Sequence, residues 1–348
     1  MRRLAPAEAG ADSRLKSSTR GSMRLIDMVN ESPRRLAVPL AGYPGVQLTR
    51  STVKQNEFNA ELQARSLYKL VEMTRPDAVF TMMDLSVEAG ALGLPVRFPV
   101  DESASVEWHP VKTIADIDQY KAVDPVYDGR VWVFLETVRL LKHRLSIPVG
   151  AYVIGPFTLA GLMMGANDIA MATVESPGLV HATVNFCEHV IIEYAKELQR
   201  AGADMVAILE PTGVILSPNA FWEFSGRSVQ HIVRHLDTRT ILHVCGNTTH
   251  LMGMMCDTGV QGLSLDSVVS FPDVIQQMPQ DVVLIGNINP VSVMLQGNRQ
   301  LVRRETTALL AAMSPYSNFI MSTGCDLPAE TPIENLVEMN ETTKAFSR

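Results

Sequence analysis

The sequence predicts an α/β fold, a single (β/α)8 barrel of the TIM type. Eight short apolar runs alternate with longer stretches of helical periodicity, the order expected of strands and helices in such a barrel. Several of those runs end in a polar or reactive residue, and a barrel gathers its chemistry at the C-terminal ends of its strands. A doubly wound open sheet is the alternative, but no glycine-rich fingerprint follows the first run.

The elements follow in order. Residues 1–23 are basic (Arg2, Arg3, Arg14, Lys16, Arg20), rich in Ala, Ser and Gly, and lack an apolar h-region. They predict a disordered tail rather than a secretory signal, with Met23 as an alternative start and the barrel over residues 24–348. Leu36–Leu40 is the first strand, and Asn56–Glu72 a helix leading to the second, Ala78–Met83. Gly93–Lys121 carries little strand pattern and reads as an elaborated loop. Helix Asp128–Leu145 precedes strand Val149–Ile154, which ends in the turn Gly155-Pro-Phe-Thr158. Helix Val180–Ala201 leads to Met205–Leu209, and Pro218–Leu236 to Thr240–Val244. Strands Gly262–Leu265 and Val282–Ile285 follow, the latter ending in the sharp turn Gly286-Asn-Ile-Asn-Pro290. Helix Arg299–Met313 feeds the eighth strand, Asn318–Met321, and Pro332–Phe346 closes the chain as a helix.

Composition bounds the function. The 348 residues are 46% hydrophobic and 19% charged, as in a core-forming globular protein. A net charge of −7 and the lack of a basic stripe argue against a nucleic-acid partner. The longest apolar runs, such as Val149–Leu162, are shorter than a bilayer span and contain Gly and Pro, so no membrane helix is expected. Four cysteines in so long a chain do not make a disulfide scaffold. They fit the reducing cytoplasm, where thiols stay free for metals.

Three of the reactive residues are soft metal ligands. His243 and Cys245 sit at i and i+2 at the end of one strand, so both point to one face. Cys325 follows the last strand. Three ligands of this kind with an open fourth position are how catalytic zinc is held, and zinc deprotonates a bound thiol. Two buried cysteines beside a hydrogen-bonded histidine are the plainer alternative.

Other polar residues end strands too. Asp266 is read as a displaceable fourth ligand, a partner for His243, or the cap of the following helix. Glu210 is read as a fourth ligand, a substrate-orienting group, a base, or a salt-bridged rim residue. Asp84 suits a pocket or a loop cap. Asn287 can offer an amide to a ligand, and the turn that ends at Thr158 can present backbone N–H groups to an anion. Cys187 and Cys256 lie in helical patterns and read as small apolar groups, while His181, His189, His231 and His235 read as helix-face residues.

At these residues the chain resembles the uroporphyrinogen decarboxylase superfamily, and within it the methylcobamide:coenzyme M methyltransferase branch. The resemblance runs from about Arg35 onward. It is carried by Gly155-Pro-Phe-Thr-Leu-Ala160, Gly202-Ala-Asp204, His243-Val-Cys-Gly-Asn247, Gly286-Asn-Ile-Asn-Pro290, Gly324-Cys-Asp-Leu-Pro328 and Thr331-Pro-Ile-Glu-Asn335. The resemblance implies an α/β barrel, Zn2+ held by His243, Cys245 and Cys325, and methyl transfer from a methylated corrinoid protein to a thiol, with coenzyme M the usual acceptor. The decarboxylases instead carry an Arg-rich motif near the first strand, where this chain reads Val38-Pro-Leu-Ala-Gly-Tyr-Pro-Gly45, and His where Cys325 stands. Asp84 matches a decarboxylase pocket aspartate and does not separate the two.

The expected activity is therefore zinc-dependent methyl transfer from a methylcorrinoid (methylcobalamin type) to a small thiol. The chain lacks a D-x-H-x-x-G corrinoid-binding signature, so the corrinoid is expected on a partner protein. A metal-free tetrapyrrole decarboxylase and a non-catalytic corrinoid-binding protein are the competing readings. The oligomeric state is open.

Overall fold

The structure, a computed structural model, describes residues 23–347. The expectation of a disordered tail falls almost wholly on residues 1–22, outside the described residues.

Seven parallel strands form one curled sheet. They are β1 (Val79–Phe80), β4 (Val149–Ile154), β5 (Met205–Leu209), β6 (Arg239–Val244), β7 (Gly262–Leu265), β8 (Val283–Ile288) and β9 (Phe319–Thr323), hydrogen-bonded in that order. Two further short strands, β2 (Val96–Arg97) and β3 (Ser105–Val106), pair antiparallel within the long excursion after β1.

The expected first strand, Leu36–Leu40, closes the ring by a single bridge, Ala37 to Met321. Val38 N–H donates to Met321 O (2.9 Å), and Asp77 N–H, just before β1, donates to Ala37 O (2.9 Å). The segment thus spans the gap between β9 and β1, but no ladder extends along it. Pro39 is the physical reason on one side: it has no N–H to donate. The expected strand Ala78–Met83 is likewise shorter, because Met82 N–H leaves the ladder for the Gln63 side chain (3.4 Å).

Side-chain alternation divides the core in two. Phe80, Tyr152, Met205, Ala207, Leu209, Ile241, Ile285 and Ile320 fill the barrel interior. The alternate residues, Val206, Ile208, Leu242, Val244, Leu263, Leu265 and Leu284 among them, pack outward against the helices. Helix Leu25–Glu31 plugs the bottom with Leu25, Ile26 and Val29 and is tied down by Leu25 N–H on Gln261 Oε1 (2.8 Å). Interior alternation carries upward to His243, the next inward residue after Ile241.

Expected helix Asn56–Glu72 is broken at Phe58; Val53–Glu57 ends there, and Asn59 caps Ala60–Thr74 by accepting from Leu62 N–H. Asp128 caps Gly129–Arg144. The segment Pro218–Leu236 carries a π-turn at Trp222–Gly226. Gly155-Pro-Phe-Thr158 corrects the sequence reading: it opens helix Pro156–Met164 rather than forming an isolated turn, with Pro at its first position. A second helix, Ala166–Glu175, follows it. No single helix among the described residues is long and apolar enough to cross a membrane.

Candidate metal centre at the barrel mouth

His243 is the last inward residue of β6, and Cys245 continues the same face one step beyond the strand. Gly246 then turns the chain with φ +84°, a backbone region that other residues rarely adopt. Its N–H is fixed by Asp266 Oδ2 (2.9 Å). Cys325 approaches from the loop after β9. There Gly324 lies so close to the β7 loop that a Cβ would sit 2.5 Å from Ser267 N. A side chain at 324 would push Cys325 away from β6.

The three donor atoms form a triangle. His243 Nε2 lies 3.1 Å from Cys245 Sγ and 3.7 Å from Cys325 Sγ, and the two sulfurs are 3.4 Å apart. Around a tetrahedral zinc with ordinary bond lengths these edges would be ~3.6 Å for N···S and ~3.8 Å for S···S. The triangle is therefore the right size to hold a metal ion with small adjustments. His243 is buried at 2% exposure, while Cys245 and Cys325 are half-buried. One face of the triangle therefore stays open to a fourth ligand.

The other nitrogen of His243 has a partner. Nδ1 meets Ser264 Oγ at 2.9 Å, and His243 and Ser264 are register partners on β6 and β7. That contact fixes the ring and leaves Nε2 to face the sulfurs. The hydrogen bond between the thiols pushes Cys245 below its ordinary range and Cys325 above it. A divalent cation would resolve that sharing by displacing both protons.

The remaining sequence candidates are placed differently. Asp266 lies beside the triangle but does not touch His243. Its Oδ1 accepts from Val268 N–H (3.2 Å) and Ser267 Oγ (3.2 Å), so it caps its own turn while holding Gly246. Asn287 spends its amide N–H groups on Asp266 O (2.9 Å) and Val269 O (2.7 Å), and so fixes the β7 loop.

Glu210 is turned away from the mouth. Leu209 occupies the interior face, so alternation sends Glu210 outward to complete burial. It accepts from Phe157 N–H (3.0 Å), Thr158 N–H (2.7 Å), the Thr158 hydroxyl and Ser225 Oγ (2.8 Å). Burial pushes its carboxyl up, and these hydrogen bonds pull it back. The anion expected at the N–H groups of that turn is thus the chain's own Glu210, and Thr158 is committed to it.

Asp84 is also internal. Oδ1 accepts from Ser86 N–H and Oγ (2.7 Å each), and Oδ2 pairs with Arg130, which stacks on Phe98 at 4.6 Å. Two further carboxyls surround this pair. Burial, helped by the Asp84 charge, raises Glu57 to about 8, and burial raises Glu88 to about 8.

Cys187 is fully buried on helix Pro177–Ala201 against Met163, and Cys256 is half-buried on Met252–Asp257. His181 and His231 face Glu223 and Glu188 across neighbouring helices. His189 and His235 each bond a carbonyl one turn back on their own helices.

A cavity of about 460 Å³ opens beside the triangle. It is lined by Tyr43, Met83, Leu85, the 101–104 segment and the 325–330 segment. Cys325 is part of its wall.

Residues 43–346 match the uroporphyrinogen decarboxylase (URO-D) family. The chain belongs to that family. A methylcobamide:CoM methyltransferase of Methanosarcina mazei is 30% identical over 328 residues, covering 88% of this chain and 94% of that protein. A uroporphyrinogen decarboxylase of Psychromonas ingrahamii is 24% identical over 80% of this chain and 81% of that protein. A solved methyltransferase structure from Methanosarcina mazei superposes with a TM-score of 0.83 at 22% identity, covering 91% of this chain and 95% of that one. That likeness establishes the barrel fold.

Sequence reasoning missed Ser264, Arg130 and Asp326 as parts of the mouth. Ser264 carried a signal: a lone hydroxyl in the apolar strand Gly262-Leu-Ser-Leu265, in step with Asp266. Arg130, 46 residues from Asp84 and inside a helical pattern, carried none.

Proposed function

We propose that this chain is a zinc-dependent methyltransferase that moves a methyl group from a methylated corrinoid, delivered by a partner protein, to a small thiol. The observation that carries the reading is the triangle of two sulfurs and one imidazole nitrogen beside an open cavity. The name of the curated methyltransferase relatives supports the choice of donor and of a thiol acceptor. Bound at the triangle, Zn2+ would supply a Lewis-acidic position that keeps the acceptor sulfur as thiolate near neutral pH.

The chain's residues have distinct tasks. Cys245 and Cys325 bring two negative charges, which leave the acceptor sulfur electron-rich. Ser264 orients His243 so that Nε2 faces the sulfurs. Asp266, through Gly246, sets the turn that carries Cys245 inward. The acceptor sulfur then attacks the methyl carbon; the S–C bond forms and the Co–C bond breaks. Cobalt leaves with the electron pair as Co(I), and the thiol proton has already passed to solvent.

Incubation of zinc-loaded protein with methylcobalamin and a thiol tests the reading, with coenzyme M, the acceptor in the relatives' name, assayed first. The expected result is thiol-dependent loss of the methyl-Co(III) absorption with formation of the S-methyl product. Unchanged cobalt spectra with every thiol, or turnover of a porphyrinogen instead, would overturn it.

A further inference from the structure

The three donors of the triangle hang from one half of the barrel. With the Leu36–Leu40 segment as the eighth member of the ring, β4 stands opposite β8. His243 and Cys245 come from the end of β6 and Cys325 from the loop after β9. A tetrahedral ion held from that half presents its fourth position to the half that contains β1 and β4. Tyr152 is the polar side chain that β4 sends inward there.

The ring of Tyr152 is propped toward the mouth. In register it lies one inward step below His243, through Ala207 and Ile241, about 6.6 Å of strand rise that a tyrosine side chain spans. The next inward position down β4 is Gly150, where a Cβ would collide with the Phe80 ring. The missing side chain lets Phe80 fill the layer beneath and stack on Tyr152, with 5.0 Å between centroids and 28° between planes. Tyr152 lines the same small interior space as His243 and Ser264.

The hydroxyl at the tip of that ring is unspent. Tyr152 is 6% exposed, and its hydroxyl makes no hydrogen bond among the described residues. Tyr43, by contrast, donates to Met83 O. Burial, with the added charges of Asp326 and Cys325, raises the Tyr152 phenol well above its ordinary range, so it keeps its proton and stays a donor. A buried donor without a partner costs folding free energy, and a negatively charged acceptor that arrives with the ligand recovers it.

We propose that the Tyr152 hydroxyl donates a hydrogen bond to the acceptor's sulfur when that sulfur occupies the open position of the triangle, and so helps to bind it as thiolate. No bond to Tyr152 forms or breaks in the transfer; the phenol keeps its proton throughout. The proposal rests on the thiol-acceptor reading above.

Tyr152→Phe tests it, because it keeps the stack on Phe80 and removes only the hydroxyl. Zinc content and the melting temperature of the metal-free protein should stay at wild-type values, since the hydroxyl has no partner to lose. Calorimetry on the zinc-loaded variant should show coenzyme M and 2-mercaptoethanol each bound about tenfold or more weakly, and the pH of half-maximal thiol uptake should rise. A loss confined to one thiol would place the hydroxyl on the tail and overturn the assignment. So would unchanged affinity and pH profile with methyl transfer from methylcobalamin intact, a result that leaves the thiol-acceptor reading standing. Addition of thiol to the zinc-loaded wild type should also red-shift the tyrosine ultraviolet band; no shift would overturn the assignment even if the variant does not fold. The expected loss of affinity beside a wild type that binds thiols but methylates none would support Tyr152 and sink the thiol-acceptor reading instead.

Discussion

Two polar clusters follow the strand ends of this barrel, one open at the mouth and one buried within the fold, and they are built on opposite terms. On the β6–β7–β9 side, His243, Cys245 and Cys325 turn their donor atoms toward one another, and only Ser264 ties the group to the frame. On the β1–β4 side, Asp84 is held by Ser86 and Arg130, and Arg130 is packed on two phenylalanine rings. Glu210 behaves like the second cluster, with four donors on its two oxygens. The same local signal, a polar residue closing an apolar run, therefore has two outcomes. Groups whose hydrogen bonds are spent within the fold stabilise it; groups left facing one another are available for a ligand.

The comparison can be broken from either side. The largest effect is expected from Arg130→Ala, which strands Asp84 in a buried site. Loss of a partner in a buried ion pair costs about 3–5 kcal/mol, so urea denaturation should give an unfolding free energy lower by that amount, seen as a lower midpoint with little change in slope. A shift near zero would mean that the Asp84 cluster is not structural. Glu210→Ala orphans the N–H groups of Phe157 and Thr158 and should cost about 1–3 kcal/mol while leaving metal content unchanged. Should Glu210→Gln instead abolish turnover without loss of stability, Glu210 would belong to the reactive cluster.

Ser264→Ala acts on the other side. It frees the His243 ring, and a lost outer partner of this kind lowers metal affinity about 10–100-fold, as read by competition with a chromogenic chelator; thermal stability of the metal-free protein should barely move. The smallest effect concerns pH. Burial raises the Glu88 carboxyl from its ordinary value of 4.5 to about 8. The folded state therefore holds a proton that the unfolded chain releases between those values. Its contribution is complete below pH 4.5 and is lost as pH rises through about 8. Glu88→Gln, which keeps an acceptor for Ile154 N–H, should flatten the fall in melting temperature between pH 5 and 8.5. An unchanged slope would show that Glu88 is ionised throughout.

Much of the barrel was legible because its strands are short, apolar and bounded by turn residues. Val149–Ile154, Met205–Leu209 and Gly262–Leu265 have the extents that their apolar runs predict. Leu36–Leu40 does not, because the pattern does not register the N–H that Pro39 lacks. Two members of the triad were legible from spacing, since His243 and Cys245 at i and i+2 on a strand share a face, and Cys325 from its place just past the last strand of a barrel. Glu210 was misleading because alternation becomes decisive only when the inward face is known, and Leu209 supplies that through packing. The buried-pair partner of Asp84 was hidden for a simpler reason: helix periodicity treats Arg130 as any charged residue, and only tertiary packing brings it to strand β1.

The central claim is that the triangle of His243, Cys245 and Cys325 binds zinc. Elemental analysis of purified protein, set beside the Cys245→Ala/Cys325→Ala variant of matched circular dichroism, tests it most directly. The expected result is about one zinc per wild-type chain, from the single three-ligand cluster among the described residues, and almost none in the variant. Full zinc occupancy in the variant, or a wild-type chain that takes up no zinc when reconstituted, would contradict it.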